Sequence, residues 1–203
     1  GRVLGGSTSV NAMMYVRGNR LSYDMWNALG ADGWSYADVL PVFKALENYA
    51  GGESEVHGAG GPIPVVDCPD PVMVSEEFMV GATQVGYDGP YLDTNGARQE
   101  NGAGLLQFHI DPAGRRASAA TVFLTPILDR PNLTVETGAH ATRVLFEGKR
   151  AVGVEYLQGG ELKQAHAARE VVVSAGALQS PKMLMQSGIG PASHLAAHGI
   201  DVV

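Results

Sequence analysis

The sequence holds one cysteine, Cys68, so neither an internal disulfide framework nor a cysteine-rich metal site can form within it. Charge is scarce: Asp, Glu, Lys and Arg together make up 17% of the residues, against about a quarter in ordinary soluble domains. The 14 basic residues are outnumbered by 21 acidic ones, for a net charge of −7, and they never cluster into a Lys/Arg-rich run. That balance argues against nucleic acid and anionic membranes as main partners. No apolar run approaches the roughly 20 residues of a membrane span. Repeats and low-complexity tracts are absent, as are a Walker A ending and a GxGxxG fingerprint. What is present is 45% hydrophobic, enough for a core and too much for a disordered chain. Glycine accounts for 27 of 203 residues, about twice average usage. Such an excess points to tight turns and to places where backbone approaches a ligand closely.

Periodicity divides the chain into an α/β (α+β) pattern. Ser35 reads as an N-cap with Asp38 three residues on, and Val39, Val42, Phe43 and Leu46 keep helical spacing. A second helix is predicted from Ser75 to about Val85, with Glu76 and Glu77 in its first turn. Leu105 to Ile110 reads as a strand, and Ala117 to Leu128 as a short helix ended by Pro126. The last third carries short β runs at Leu133–Val135, Thr142–Phe146, Ala151–Leu157 and Leu162–Ala168, joined by glycine turns into an antiparallel ribbon. Val171-Val172-Val173-Ser174 is predicted as a buried strand breaking at Ala175-Gly176-Ala177. A helix is then expected with Ser180 as N-cap and Pro181 at its first position.

Two stretches carry chemistry. The first is Gly1-Arg2-Val3-Leu4-Gly5-Gly6-Ser7-Thr8-Ser9-Val10-Asn11. Glycines beside small hydroxyl residues let backbone N–H groups converge on an anion. Taken alone it reads either as a diphosphate-binding loop or as a structural glycine turn. The second is Ser174 to Pro181, a strand end before a helix, where open α/β sheets bind ligands. Arg115-Arg116 reads as a brace over such a site or as a solvated turn.

Gly1 to Asp24 resembles the first signature of the glucose–methanol–choline (GMC) flavin oxidoreductases, in Leu4-Gly5-Gly6-Ser7-Thr8, Val10-Asn11, Tyr15, Gly18 and Asp24. Gly176 to Gly190 resembles the second, in Gly176-Ala177, Ser180-Pro181, Met183-Leu184 and Ser187-Gly188-Ile189-Gly190. Gly33-Trp34-Ser35-Tyr36, Arg115-Arg116-Ala117-Ser118 and Arg150 to Glu155 are similar to the bacterial choline and alcohol dehydrogenase branch.

This resemblance implies a GMC-type FAD-binding domain with an inserted antiparallel ribbon and a partial substrate-binding domain. Residues 1–50 and 126–203 would serve FAD, and 51–125 the substrate. Gly5, Gly6, Ser7 and Thr8 would approach the FAD diphosphate, and Asn11, Ala12 and Met13 would continue along the flavin. The Ala141 backbone would meet adenine, and Ala175 and Gly176 the ADP end. Some family members attach FAD through a His where this chain has Val10, so FAD should bind noncovalently.

The implied reaction oxidises a primary alcohol, choline-like or other, to an aldehyde. Hydride passes to flavin N5, and oxygen or a quinone accepts the electrons. Two other readings stand beside it: a hydroxynitrile-lyase-type relative and a noncatalytic FAD-binding piece. None of His57, His109, His140, His166, His194 and His198 matches the family's catalytic His motif, so no catalytic residue and no metal ligand is assigned. The chain opens without Met inside a motif and stops in an apolar run, and reads as the middle of a longer, cytoplasmic or peripherally inner-membrane enzyme. By itself it should be inactive.

Overall fold

The computed structural model describes residues 1–203, which fold as two compact units, Gly1–Leu133 and Thr134–Val203. In the first unit a 3-10 turn over Gly6–Ser9 leads to β1 (Met14–Tyr15), then α1 (Arg20–Ala28) and α2 (Tyr36–Leu46). Helix α2 starts where its capping box predicts: Ser35 Oγ accepts from the Asp38 N–H, and the Asp38 carboxylate accepts from the Ser35 N–H at 3.1 Å. Asp24 of the first signature accepts the Tyr36 N–H at 2.9 Å, so it joins α1 to the start of α2.

Strand β2 (Glu47–Tyr49) continues directly from α2 and pairs in parallel with β3 (Ile63–Val65). Helix α3 (Met73–Gln84) begins two residues before the predicted Ser75. Of the strand predicted over Leu105–Ile110, only β4 (Gln107–Phe108) forms, antiparallel to β1, with Met14 opposite Phe108 and Tyr15 opposite Gln107. Pro126 does not end a helix. It lies inside a 3-10 turn, Thr125–Ile127, that follows a π-helical turn over Ala120–Leu124. Proline lacks only the N–H, which the first positions of a helical turn do not use.

The second unit is the antiparallel ribbon and two helices. β5 (His140–Glu147), β6 (Arg150–Gln158) and β7 (Glu161–His166) form a sheet in that order, with tight glycine turns at Gly148 and at Gly159-Gly160. Helices α4 (Gln179–Gln186) and α5 (Ala192–Ala197) follow. Ser187, at the end of α4, locks the helix to the sheet: its hydroxyl donates to the Met183 carbonyl at 2.6 Å and accepts the Val144 N–H at 2.8 Å. Ser187→Ala should leave that buried N–H unpaired and cost about 1–3 kcal/mol. Chemical denaturation followed by circular dichroism checks it, and an unchanged midpoint would contradict the buried bond.

Three local expectations are corrected. Val171–Ser174 is not a strand, and Val172 is 77% exposed. A fully buried strand needs neighbours on both edges, and no strand of the chain lies beside this one. Leu133–Val135 is likewise without a ladder. Ser180 lies inside α4, whose N-cap is Leu178; its hydroxyl accepts the Ala175 N–H at 3.0 Å instead of capping the helix.

The fully buried apolar set is small: Val65, Met79, Ala117, Val144 and Leu195. Buried polar side chains outnumber it, among them Arg17, Glu47, His57, Asn95, Gln107 and His109. No helix is long and apolar enough to cross a membrane.

Candidate cofactor-binding site

The loop from Gly5 to Met13 is built on left-handed backbone. Gly5 has φ +84°, and a Cβ there would sit 2.4 Å from Ser9 Oγ, so only glycine fits. Gly6 has φ +57°, and nothing lies within 4 Å of where its Cβ would be. That open side is a cradle in which backbone can meet a ligand directly. Ser7 is exposed beside it. Thr8 is committed inward: its hydroxyl donates to the Gly5 carbonyl and accepts the Ala119 N–H at 2.9 Å. Ser9 similarly donates to the Leu4 carbonyl at 2.7 Å.

Farther along, Asn11 and Ala12 are exposed and Met13 is half-buried. Met13 adopts φ +62°, unusual for a residue with a side chain. Its N–H donates to Asn11 Oδ1 at 3.1 Å, and its carbonyl accepts the His109 N–H at 2.9 Å. Arg116 reaches the same loop, donating through Nη1 to the Thr8 carbonyl at 3.1 Å and to Asn11 Oδ1 at 2.8 Å. Of the two readings of Arg115-Arg116, Arg116 is therefore the brace, whereas Arg115 is an exposed partner of Asp111. His109 is buried, with Nδ1 on the Ala117 carbonyl at 3.0 Å, and burial followed by the nearby Arg116 charge moves its pKa down.

Behind β1 lies a buried charged cluster that sequence reasoning missed. Arg17 pairs with Glu47, and Glu47 Oε2 also accepts from His57 Nδ1 at 3.0 Å and from the Gly58 N–H at 2.8 Å. His57 Nε2 meets Asp93 Oδ2 at 2.7 Å, and its ring stacks on Tyr49 at 4.2 Å. Asn95 grips one edge of the extended backbone: Oδ1 accepts the Arg17 N–H at 2.9 Å, and Nδ2 donates to the Tyr15 carbonyl at 2.9 Å. Burial disfavours the His57 imidazolium, but Asp93 and Glu47 outweigh it and push the pKa up to about 9. Tyr49 is pushed up to about 12 by burial and by Asp67, whose carboxylate accepts its hydroxyl. No spacing rule could have found this cluster, because its members come from β1, β2 and three separate loops.

In the second unit, Ala141 stands opposite Tyr156 near the start of β5. Ala175 and Gly176 lie exposed in the turn before α4, Gly176 at φ +94° with no atom near its would-be Cβ.

The loop and this turn are the two stretches that set the family question, and a family model described as GMC oxidoreductase matches residues 1–201. The chain belongs to the GMC oxidoreductase family. It is 46% identical over 203 residues to an oxygen-dependent choline dehydrogenase of Brucella ovis, covering 100% of this chain and 36% of the relative. Among solved structures it resembles an FAD-dependent oxidoreductase from Chaetomium thermophilum, with TM-score 0.89 and 31% identity over 98% of this chain and 37% of the other. Pyridoxine 4-oxidase from Mesorbium loti gives TM-score 0.88 and 33% identity over 100% of this chain and 40% of the other. The chain thus spans little more than a third of the length of the curated relatives it matches. The GMC recognition and the α/β fold class are both upheld by these matches.

Proposed function

We propose that this chain supplies the flavin-contacting part of an FAD-dependent oxidoreductase acting on the CH–OH group of a primary alcohol, of the choline-like class. Oxygen or a quinone takes up the electrons. The observation that carries the reading is family membership over residues 1–201, with the first-signature loop folded as a turn that is open at Gly6. The relatives' names point the same way, since choline and pyridoxine both carry a primary alcohol.

The residues present fit the cofactor. A dianionic diphosphate needs donors that can come close. The side-chain-free Gly6, whose own N–H is held by the Val3 carbonyl at 2.9 Å, leaves room for that approach, and the exposed Ser7 hydroxyl is a donor beside it. FAD, when bound, supplies the hydride acceptor at its N5 atom. Gly5, Gly6 and Ser7 bring backbone to the diphosphate, while Thr8 acts by holding Gly5 in place. Asn11, Ala12 and Met13 follow the flavin. The Ala141 backbone serves adenine, and Ala175 and Gly176 the ADP end. On the same reading, residues 1–50 and 126–203 are the FAD-binding segments and 51–125 is the partial substrate-binding portion.

Val10 is 62% exposed and carries only carbon at the position some family members use for a covalent bond. FAD is therefore held noncovalently. Acid precipitation of the flavin-loaded protein should leave all flavin in the supernatant; yellow colour kept in the pellet would refute it.

None of the six histidines matches the family's catalytic motif, and His57 and His109 are buried in structural bonds. The isolated chain should hold FAD through gel filtration without bleaching when alcohol is added. Grafted in place of the matching segment of the Brucella ovis enzyme, it should give a flavoprotein that reduces a dye with choline or a close primary alcohol. A graft that holds flavin yet reduces dye with no primary alcohol overturns the substrate class.

A further inference from the structure

Arg116 is half-buried and takes part in none of the chain's ion pairs. Its contacts are instead the Thr8 carbonyl and Asn11 Oδ1, more than a hundred residues away in sequence. Asn11 Oδ1 therefore receives two donors, Arg116 Nη1 and the Met13 N–H. An amide flipped by half a turn would set its NH2 against both of them, so the oxygen is locked inward. The Asn11 Nδ2 hydrogens consequently face out of the loop and find no partner in this chain. The same two bonds help hold Met13 in its left-handed conformation, which a residue with a side chain otherwise disfavours. A guanidinium with no carboxylate partner also adds positive charge beside a loop suited to a dianion.

We propose that Arg116 is a positioning residue for the cofactor: it locks the Asn11 amide so that Nδ2 donates to an acceptor on FAD, and it holds the Thr8–Met13 turn in shape to receive it. This rests on the FAD reading above. Arg116 does not itself need to touch the cofactor.

Three variants separate clamp from donor. Arg116→Gln removes the clamp. It should speed hydrogen exchange of the Met13 N–H at least tenfold in the cofactor-free protein and weaken FAD binding at least tenfold. Arg116→Lys keeps the charge on a shorter, more flexible stem without the planar fork, so it should recover part of both losses. Asn11→Asp keeps an oxygen for Arg116 and for Met13 but loses the outward NH2. It should leave Met13 protection intact while FAD binding falls at least tenfold and the visible circular dichroism of the bound flavin changes. Arg115→Gln, on the neighbouring exposed side chain, should change none of these.

Met13 as well protected in Arg116→Gln and Arg116→Lys as in the parent overturns the clamp. FAD bound equally tightly, with the parent spectrum, by Asn11→Asp overturns the presented donor. If the parent protein itself binds no FAD, the FAD reading falls and the cofactor role falls with it. The exchange measurement then still decides whether Arg116 orders the loop.

Discussion

Glu47→Ala is expected to destabilise the first unit by about 3–5 kcal/mol, the usual cost of removing one partner from a buried ion pair. Glu47 is completely buried where α2 runs into β2, and its Oε2 serves Arg17, His57 and the Gly58 N–H together. Without it the Arg17 guanidinium, 1% exposed, keeps its charge with no counter-charge beside it. His57 retains only Asp93. Both tryptophans, Trp26 and Trp34, belong to the first unit, so their fluorescence during urea unfolding reads this loss without interference from the second. A loss under about 1 kcal/mol would mean that water reaches the cluster. Should Glu47→Ala fail to fold, Arg17→Met in the same background removes the stranded charge. It is expected to restore a measurable transition, because a buried charged group replaced by an apolar one of similar size is often tolerated.

Alkali is expected to weaken the same unit through His57. The ring is flanked by two carboxylates, so both nitrogens donate and the folded state holds an imidazolium. Its pKa stands at about 9 in the fold, against roughly 6.5 when unfolded. The stabilisation is therefore complete below about pH 6.5, declines as pH rises from there, and is gone above about 9. Screening at half-exposed Asp93 keeps the effect on the order of 2 kcal/mol. Acid acts in the opposite sense. Glu47 is held below the usual carboxylate range by His57, Gly58 and Arg17 despite its burial, and Asp93 by its bond to His57. Their contribution is lost as pH falls through that range. Urea midpoints between pH 5.5 and 9.5 should thus slope downward above neutrality in the parent and flatten in His57→Gln. A parent protein with no slope over that interval would place the proton elsewhere. Tyr49, stacked on His57 and pushed up to about 12, stays neutral in the fold throughout and adds to the slope only at the alkaline end, where the unfolded phenol begins to ionise.

These two effects meet at β1, where Asn95 ties Arg17 and Tyr15 to the cluster while Met13, one residue before the strand, carries the cofactor loop. The charged cluster is thus the anchor of the strand that follows the loop. Losing it should loosen the loop as well as lower stability.

What could be read in the residues alone is whatever short-range chemistry specifies. The Ser35–Asp38 capping box determined the start of α2, because both partners lie within one turn. Glycines, Gly148 in one turn and Gly159-Gly160 in the other, determined the turns of the β5–β6–β7 ribbon, because left-handed backbone is a local preference. The order of small residues from Gly5 to Asn11 and from Gly176 to Gly190 determined the family.

Local chemistry also misled where a neighbour was required. The valine run 171–173 has strand propensity but no adjacent strand, and Ser180 found the Ala175 N–H before it could cap α4. The Thr8 hydroxyl braces Gly5, because Ala119 arrives beside it from the far end of the first unit. The pairings that hold the site, Arg116 with Asn11, Arg17 with Glu47 and His57 with Asp93, join segments separated by 105, 30 and 36 residues. A hydrogen bond is made over about 3 Å, and only the folded path of the chain decides which distant groups come that close.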